Sequence, residues 1–224
     1  MVSINTVYQK VLAFANKEQR GYITPQEFNL FADQAQKEIF EQYFYDLDQA
    51  YRSQTLASKK YSDTAEYINA KIGFFKTNGS GDTLPADLYR LGVVTSNSGL
   101  SASRHCEEVD RKEYYDRIGS YLTKPTMYNK VYIRLTGTKI NLYPSGSASY
   151  AYTRKPGKPS WGYVVVNERA MYDSSNTDNF ELHSSEESEL VYRILAFAGI
   201  SMQKPGLTQA AVGMETSKIQ QEKQ

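Results

Sequence analysis

His105 and Cys106 stand side by side in a chain that has two His and one Cys. A His–Cys pair could activate a thiolate or hold a metal ion. Adjacent residues of a strand point to opposite faces, however, so these two cannot share one ion or pass a proton between them. No second Cys completes zinc-like spacing, and His183 is far along the chain. Asn78-Gly-Ser-Gly-Asp82 is Gly-rich but lacks the Gly-Lys-Ser/Thr ending of a phosphate cradle, and it reads as a turn. The run Asp173 to Glu181 superficially resembles a calcium loop. It lacks the central glycine and places Ser184 where a bidentate Glu belongs, so it reads as a solvated loop. Glu107/Glu108 and Glu186/Glu187 fall at strand or helix starts, where acids complement the helix dipole. No Gly-x-Ser-x-Gly elbow is present. These patterns predict a protein that is not an enzyme, with no catalytic, metal or cofactor residues.

The most distinctive string is Arg154-Lys-Pro-Gly-Lys-Pro-Ser-Trp161. One reading is an exposed loop contact through Arg154, Lys155, Lys158 and Trp161, docking on a partner or facing DNA. The other is a proline-stiffened connection whose Trp161 caps the core while the cations stay exposed.

Around these residues the periodicity predicts an α+β fold. Ile4, Val7, Tyr8, Val11, Leu12 and Ala15 form one helical face, and Gly21 then breaks the chain. Thr24-Pro-Gln-Glu27 is a capping box with proline at the first helical position. It opens a second helix striped by Phe28, Phe31, Ala32, Ala35, Ile39 and Tyr43, running on to Ala50 and completing an N-terminal helical hairpin. A shorter helix is expected over 63–72. An antiparallel meander follows, with strands at 89–95, 106–109, 131–135, 139–143 and 150–154, and a helix over 111–118. Ser184 and Glu187 suggest a second capping box, ahead of a helix striped by Leu190, Val191, Ile194, Leu195 and Ala198 and capped by Gly199. A last helix carries Leu207, Ala210, Ala211 and Met214 into a polar end. The expectation is a single domain, 1–224, made of a helical part (1–72), a β-rich middle (73–183) and returning C-terminal helices with a terminal arm (184–224).

Lys and Arg total 26 against 25 Asp and Glu, which lacks the strong positive balance of a chain built to grip phosphates. A lone cysteine rules out an internal disulfide. No apolar run approaches the ~20 residues of a membrane span. The chain is expected to be soluble and made in a reducing cytoplasm. Tyr is abundant, 19 residues against one Trp. Both a β-rich middle and wet interfaces favour it, and the two readings stay open.

The order of parts resembles the head-to-tail adaptor (tail-tubular, neck-ring) proteins of podovirus-type tailed bacteriophages. The likeness rests on Ile23-Thr-Pro-Gln-Glu-Phe-Asn-Leu-Phe-Ala-Asp-Gln-Ala-Gln-Lys-Glu-Ile39, on Leu84-Pro-Ala-Asp-Leu-Tyr-Arg-Leu91 and on Ile140-Asn-Leu-Tyr-Pro144. It also rests on Tyr150-x-Tyr-x-Arg-Lys-Pro156, Phe180-Glu-Leu182 and Glu189-Leu-Val-x-x-Ile-Leu-x-x-Ala-Gly-Ile200. The resemblance implies a virion structural protein made in the host cytoplasm, closing into a ring generally of twelve copies. Such a ring binds the portal protein on one side and the tail or next neck ring on the other. Double-stranded DNA passes through its lumen without sequence-specific binding, and no membrane is involved. Leu207, Ala210, Ala211, Met214 and Ile219 are then the expected portal or neighbour contacts. The alternative function is a Tyr-rich carbohydrate-binding tail accessory module, in which Tyr faces stack on sugar rings.

Overall fold

A computed structural model describes residues 1–17, 23–53, 59–96, 103–201 and 205–222. The expected break at Gly21 lies outside the described residues. Helices occupy both ends and mainly antiparallel sheets the middle, an α+β fold. The chain divides into two compact units, one of residues 1–74 with 156–224 and one of residues 75–155. Residues 156–183, expected with the β-rich middle, therefore cluster with the helices.

In the helical unit, α1 spans Ile4–Lys17 and α2 spans Pro25–Ser53. The Thr24 box forms as its spacing requires. The Thr24 amide donates to Glu27 Oε2 at 3.0 Å and the Glu27 amide donates to Thr24 Oγ1 at 3.3 Å, which satisfies two of the orphan donors of the first turn. Of the predicted stripe, Phe28, Ala32, Ala35, Ile39 and Tyr43 are buried and Phe31 is half-buried. The third helix, α3, spans Lys59–Gly73.

Two further helices complete this unit, α5 over Glu187–Ser201 and α6 over Pro205–Glu222. Helix α5 packs against α1, α2 and α6, with Leu190, Val191, Ile194, Leu195 and Ala198 buried. Its start corrects the expected capping box. His183 Nδ1, not Ser184, accepts from the Ser185 amide at 3.2 Å, and Ser184–Glu186 form a 3-10 turn ahead of α5. Gly199 is not a cap either, because α5 continues through it to Ser201.

Among its described residues the β unit has seven strands, in two sheets, and one helix. The strands are β1 (Lys76–Ser80), β2 (Leu88–Ser96), β3 (Arg104–His105), β4 (Glu107–Glu108), β5 (Val131–Thr136), β6 (Lys139–Tyr143) and β7 (Ser149–Arg154). Helix α4 spans Arg111–Gly119. The expected meander is not the topology. The last strand, β7, inserts between β1 and β2 to give the order β1-β7-β2-β3, and β4 pairs with β5 in parallel beside β6. Strand periodicity reports which residues face inward but not which strand lies alongside. Leu84, Val94, Cys106, Tyr132, Ile140, Leu142, Tyr150 and Tyr152 form one shared core. On the other face of the three-stranded sheet, Val131 and Ile133 pack with Val109, Tyr114 and Tyr143. Both faces of β5 are covered, so Val131, Tyr132 and Ile133 are buried in succession.

Candidate assembly surfaces

Trp161 is the centre of the best-organised aromatic cluster and corrects one expected contact. It is 2% exposed, so it is core and not a loop contact. Its ring lies 4.1 Å from Tyr8 and is flanked by Tyr163 and Tyr172 at 5.8 and 5.9 Å. Its indole N–H donates to Asn5 Oδ1 at 3.1 Å, and its amide donates to Asn29 Oδ1 at 2.8 Å. A buried indole needs such a partner, which α1 supplies, while α2 holds the Trp161 backbone. The approach to Trp161 is fixed by Gln36, which is fully buried. Gln36 Nε2 donates to the Gly157 carbonyl at 2.7 Å, and its Oε1 accepts from the Glu181 amide at 3.0 Å. Of the expected cations, Lys155 and Lys158 are exposed. Arg154 is half-buried at the end of β7, with its guanidinium 5.9 Å from the Phe75 ring.

Beyond Trp161 comes an element that sequence reasoning missed, the hairpin of β8 (Tyr163–Val166) and β9 (Arg169–Tyr172). Its two-residue turn, Asn167-Glu168, has φ of 50° and 64°. That is the backbone of a type I′ turn, but Glu replaces the usual Gly, which is why the turn signal was weak. Tyr163 and Tyr172 pair across the base and rest against Trp161. Further out, Val164, Val166 and Met171 share one face and Val165 the other, and all four are exposed, Val165 by 63%. The hairpin forms its own two-stranded sheet, so its outer edges have no ladder partner among the described residues.

A second apolar surface lies after α4. The guanidinium of Arg117 donates to both Glu107 carboxylate oxygens at 2.7 and 2.9 Å and to Glu113 at 2.6 Å, fixing α4 to β4. This pairing holds the Glu107 carboxyl below its ordinary range. The loop that follows is ordered by its own bonds. The Lys124 amide donates to the Ser120 carbonyl at 3.1 Å, and Thr126 and Asn129 exchange two backbone bonds. It nevertheless leaves Tyr121 and Leu122 99% and 92% exposed, with Tyr128 and Met127 also outward.

The terminal helix is only partly the contact expected of it. Ala211 is buried, and Glu215 bridges to Arg193 of α5 at 3.2 Å. Arg193 is itself held by Glu189 at 2.8 Å and by Gln42. Ala210 and Met214 are exposed, because a 100° step per residue turns neighbours to different faces. Ala211 is thus withdrawn from the expected partner contacts. The side chains of Leu207 and Ile219 lie outside the described residues.

The chemistry-bearing residues of the sequence take structural places. Cys106 lies in the one-residue link between β3 and β4 and not, as expected, in a strand over 106–109; it is buried and His105 exposed, and burial pushes the Cys106 thiol above its ordinary range. The Gly-rich segment enters β1, where Gly79 makes room for the Tyr150 ring. An added Cβ would lie 2.5–2.9 Å from that ring. Asp173 accepts from the Ser175 amide at 2.9 Å and from Asn176 Nδ2 at 2.7 Å, which lowers its carboxyl pKa. Glu186 is buried as the partner of Lys71, with Ser185 Oγ donating to it at 3.0 Å. Tyr132, Tyr150 and Tyr152 build the β core, as the first reading of the Tyr content expects, while Tyr115, Tyr121 and Tyr128 face solvent. No helix among the described residues is long and apolar enough to cross a membrane. No protein-family model matches this chain, and no curated protein matches it significantly.

Proposed function

We propose that this protein is a non-enzymatic structural subunit of a closed ring at the head-to-tail junction of a tailed-phage virion. In this reading it connects the portal to the tail or next neck ring and continues the DNA channel. The observation that carries the reading is the pair of apolar surfaces presented on ordered elements, the β8–β9 hairpin and the Tyr121–Tyr128 loop. Ordered apolar groups left this exposed mark protein contacts, and two unlike surfaces suit the heterologous contacts that close a ring. The near-neutral chain suits a lumen through which DNA slides. On α6, Ala210 and Met214 remain available to a portal or neighbour.

The test is the mass of the purified protein alone and after mixing with its portal ring. A stoichiometric ring on the portal supports the reading, and a monomer that ignores the portal removes direct docking there. The second reading, a carbohydrate-binding tail module, is favoured by the outward Tyr115, Tyr121 and Tyr128. It requires glycan binding that Tyr121→Ala abolishes.

A further inference from the structure

Two apolar surfaces on one chain raise the question of what covers each, and their charged surroundings supply an answer. The hairpin and the segment after it, residues 163–183, hold Glu168, Asp173, Asp178 and Glu181 against Arg169, a net charge of −3. Residues 111–130, which present the Tyr121–Tyr128 loop, hold five Lys and Arg against Glu113 and Asp116, a net of +3. Of those cations Lys130 is buried on Ser96 and Arg117 is engaged with Glu107 and Glu113, so Arg111, Lys112 and Lys124 are the outward ones. The same asymmetry holds for the whole units. The helical unit carries 14 Lys and Arg against 18 Asp and Glu, a net of −4, and the β unit 12 against 7, a net of +5.

Resting on the ring reading above, we propose that the β8–β9 hairpin of one copy seats on the Tyr121–Tyr128 loop of a second copy. The hairpin offers a flat apolar surface from Val164, Val166 and Met171, with Val165 on its reverse, and the loop offers Tyr121 and Leu122 as protruding knobs. Apolar knob meets apolar strand surface, and beside it the outward Glu168 at the hairpin turn meets the outward Arg111, Lys112 and Lys124; Asp173 and Glu181 are taken up by the Ser175 and Gly157 amides. This is the arrangement of a specific contact: a desolvated middle carries affinity, and the rim sets orientation and partner choice. Because the two surfaces differ, each copy has one hairpin and one loop to offer, and the contact propagates head to tail. Covering this face also shields exposed Val and Met side chains that would otherwise invite aggregation.

Sedimentation of the full chain over a concentration series, with electron microscopy for closed rings, tests this. Wild-type self-association should weaken as salt rises, and Val164→Glu and Leu122→Asp should each weaken it about tenfold or more. Mixing the two variants in equal amounts should give a one-to-one complex, since one sound hairpin and one sound loop remain. Circular dichroism checks that both variants fold, and Met171→Lys replaces Val164→Glu if that chain does not. Lys124→Glu should weaken association, and adding Glu168→Lys should restore it. The proposal is overturned if wild type does not self-associate, if both variants associate as wild type does, or if the mixture yields no complex. Closed rings that survive both variants would keep the ring and remove this contact. Open chains or dimers built through this contact would keep it and remove the ring.

Discussion

Lys71 and Glu186 form an ion pair that is 6% and 1% exposed, with the Lys71 ammonium also over the Tyr67 ring at 4.6 Å. A buried charge that loses its partner keeps its desolvation penalty, so the pair couples α3 to the start of α5 more strongly than a surface pair could. Lys71→Met should destabilise the helical unit by about 3–5 kcal/mol, and adding Glu186→Leu should recover most of that in urea unfolding. The Thr24 box is the exposed counterpart. Thr24→Ala should cost about 1 kcal/mol. The two Thr24 bonds depress the Glu27 carboxyl, the backbone one more strongly. Because the folded value lies below the unfolded one, the contribution of Glu27 is complete above the unfolded value of about 4.3. It is lost as pH falls through the folded value. The difference between wild type and Glu27→Gln, read by urea unfolding, should shrink as pH drops below about 4.

At the level of elements, backbone geometry ties specific residues to specific turns. Glu168 holds φ of 64° in the hairpin turn, a conformation that costs an L-residue roughly 1–2 kcal/mol and glycine almost nothing. Glu168→Gly should therefore raise the thermal midpoint slightly, whereas Val or Ile there should lower it. Gly162 has the opposite constraint. A Cβ there would overlap the carbonyl oxygens of Asn176 and Asp173, so Gly162→Ala should break the seat of the hairpin and alter the fluorescence of neighbouring Trp161. In β1, Gly79→Ala should push the Tyr150 ring out of place and weaken its 3.0 Å bond to the Thr83 carbonyl, costing about 1–3 kcal/mol as overpacking does.

For the whole molecule, the division into two units makes distinct probes available. The lone Trp161 belongs to the helical unit, so intrinsic tryptophan fluorescence reports that unit's unfolding. The β unit holds no Trp and is silent in that signal, but it has buried tyrosines. Burial raises the hydroxyl pKa of Tyr132, Tyr150 and Tyr152, with Glu108 adding to it at Tyr132. Folded values above the unfolded value of about 10 mean that stability is complete below that pH and is lost as pH rises through the raised values. Urea unfolding followed by circular dichroism should thus show stability falling above about pH 10, and Tyr132→Phe should reduce that alkaline loss.

Local signals were enough for α1, α2 with its Thr24 box, α4, and strands β5, β6 and β7, because caps, periodicity and turn residues act over a few positions. The buried faces of α2 and α5 were legible for the same reason: a helix that must bury one stripe writes that stripe at a period of 3.6. Tertiary structure alone decided that β7 lies between β1 and β2, that β4 runs parallel to β5, and that residues 156–183 join the helices. It also decided that Trp161 is enclosed and Ala211 covered while Tyr121 and Leu122 stand in solvent. Each of these depends on which distant segment lies alongside. Apolar character is a property of the residue, whereas burial is a property of its neighbours, so the candidate assembly surfaces could be located only after both units were built.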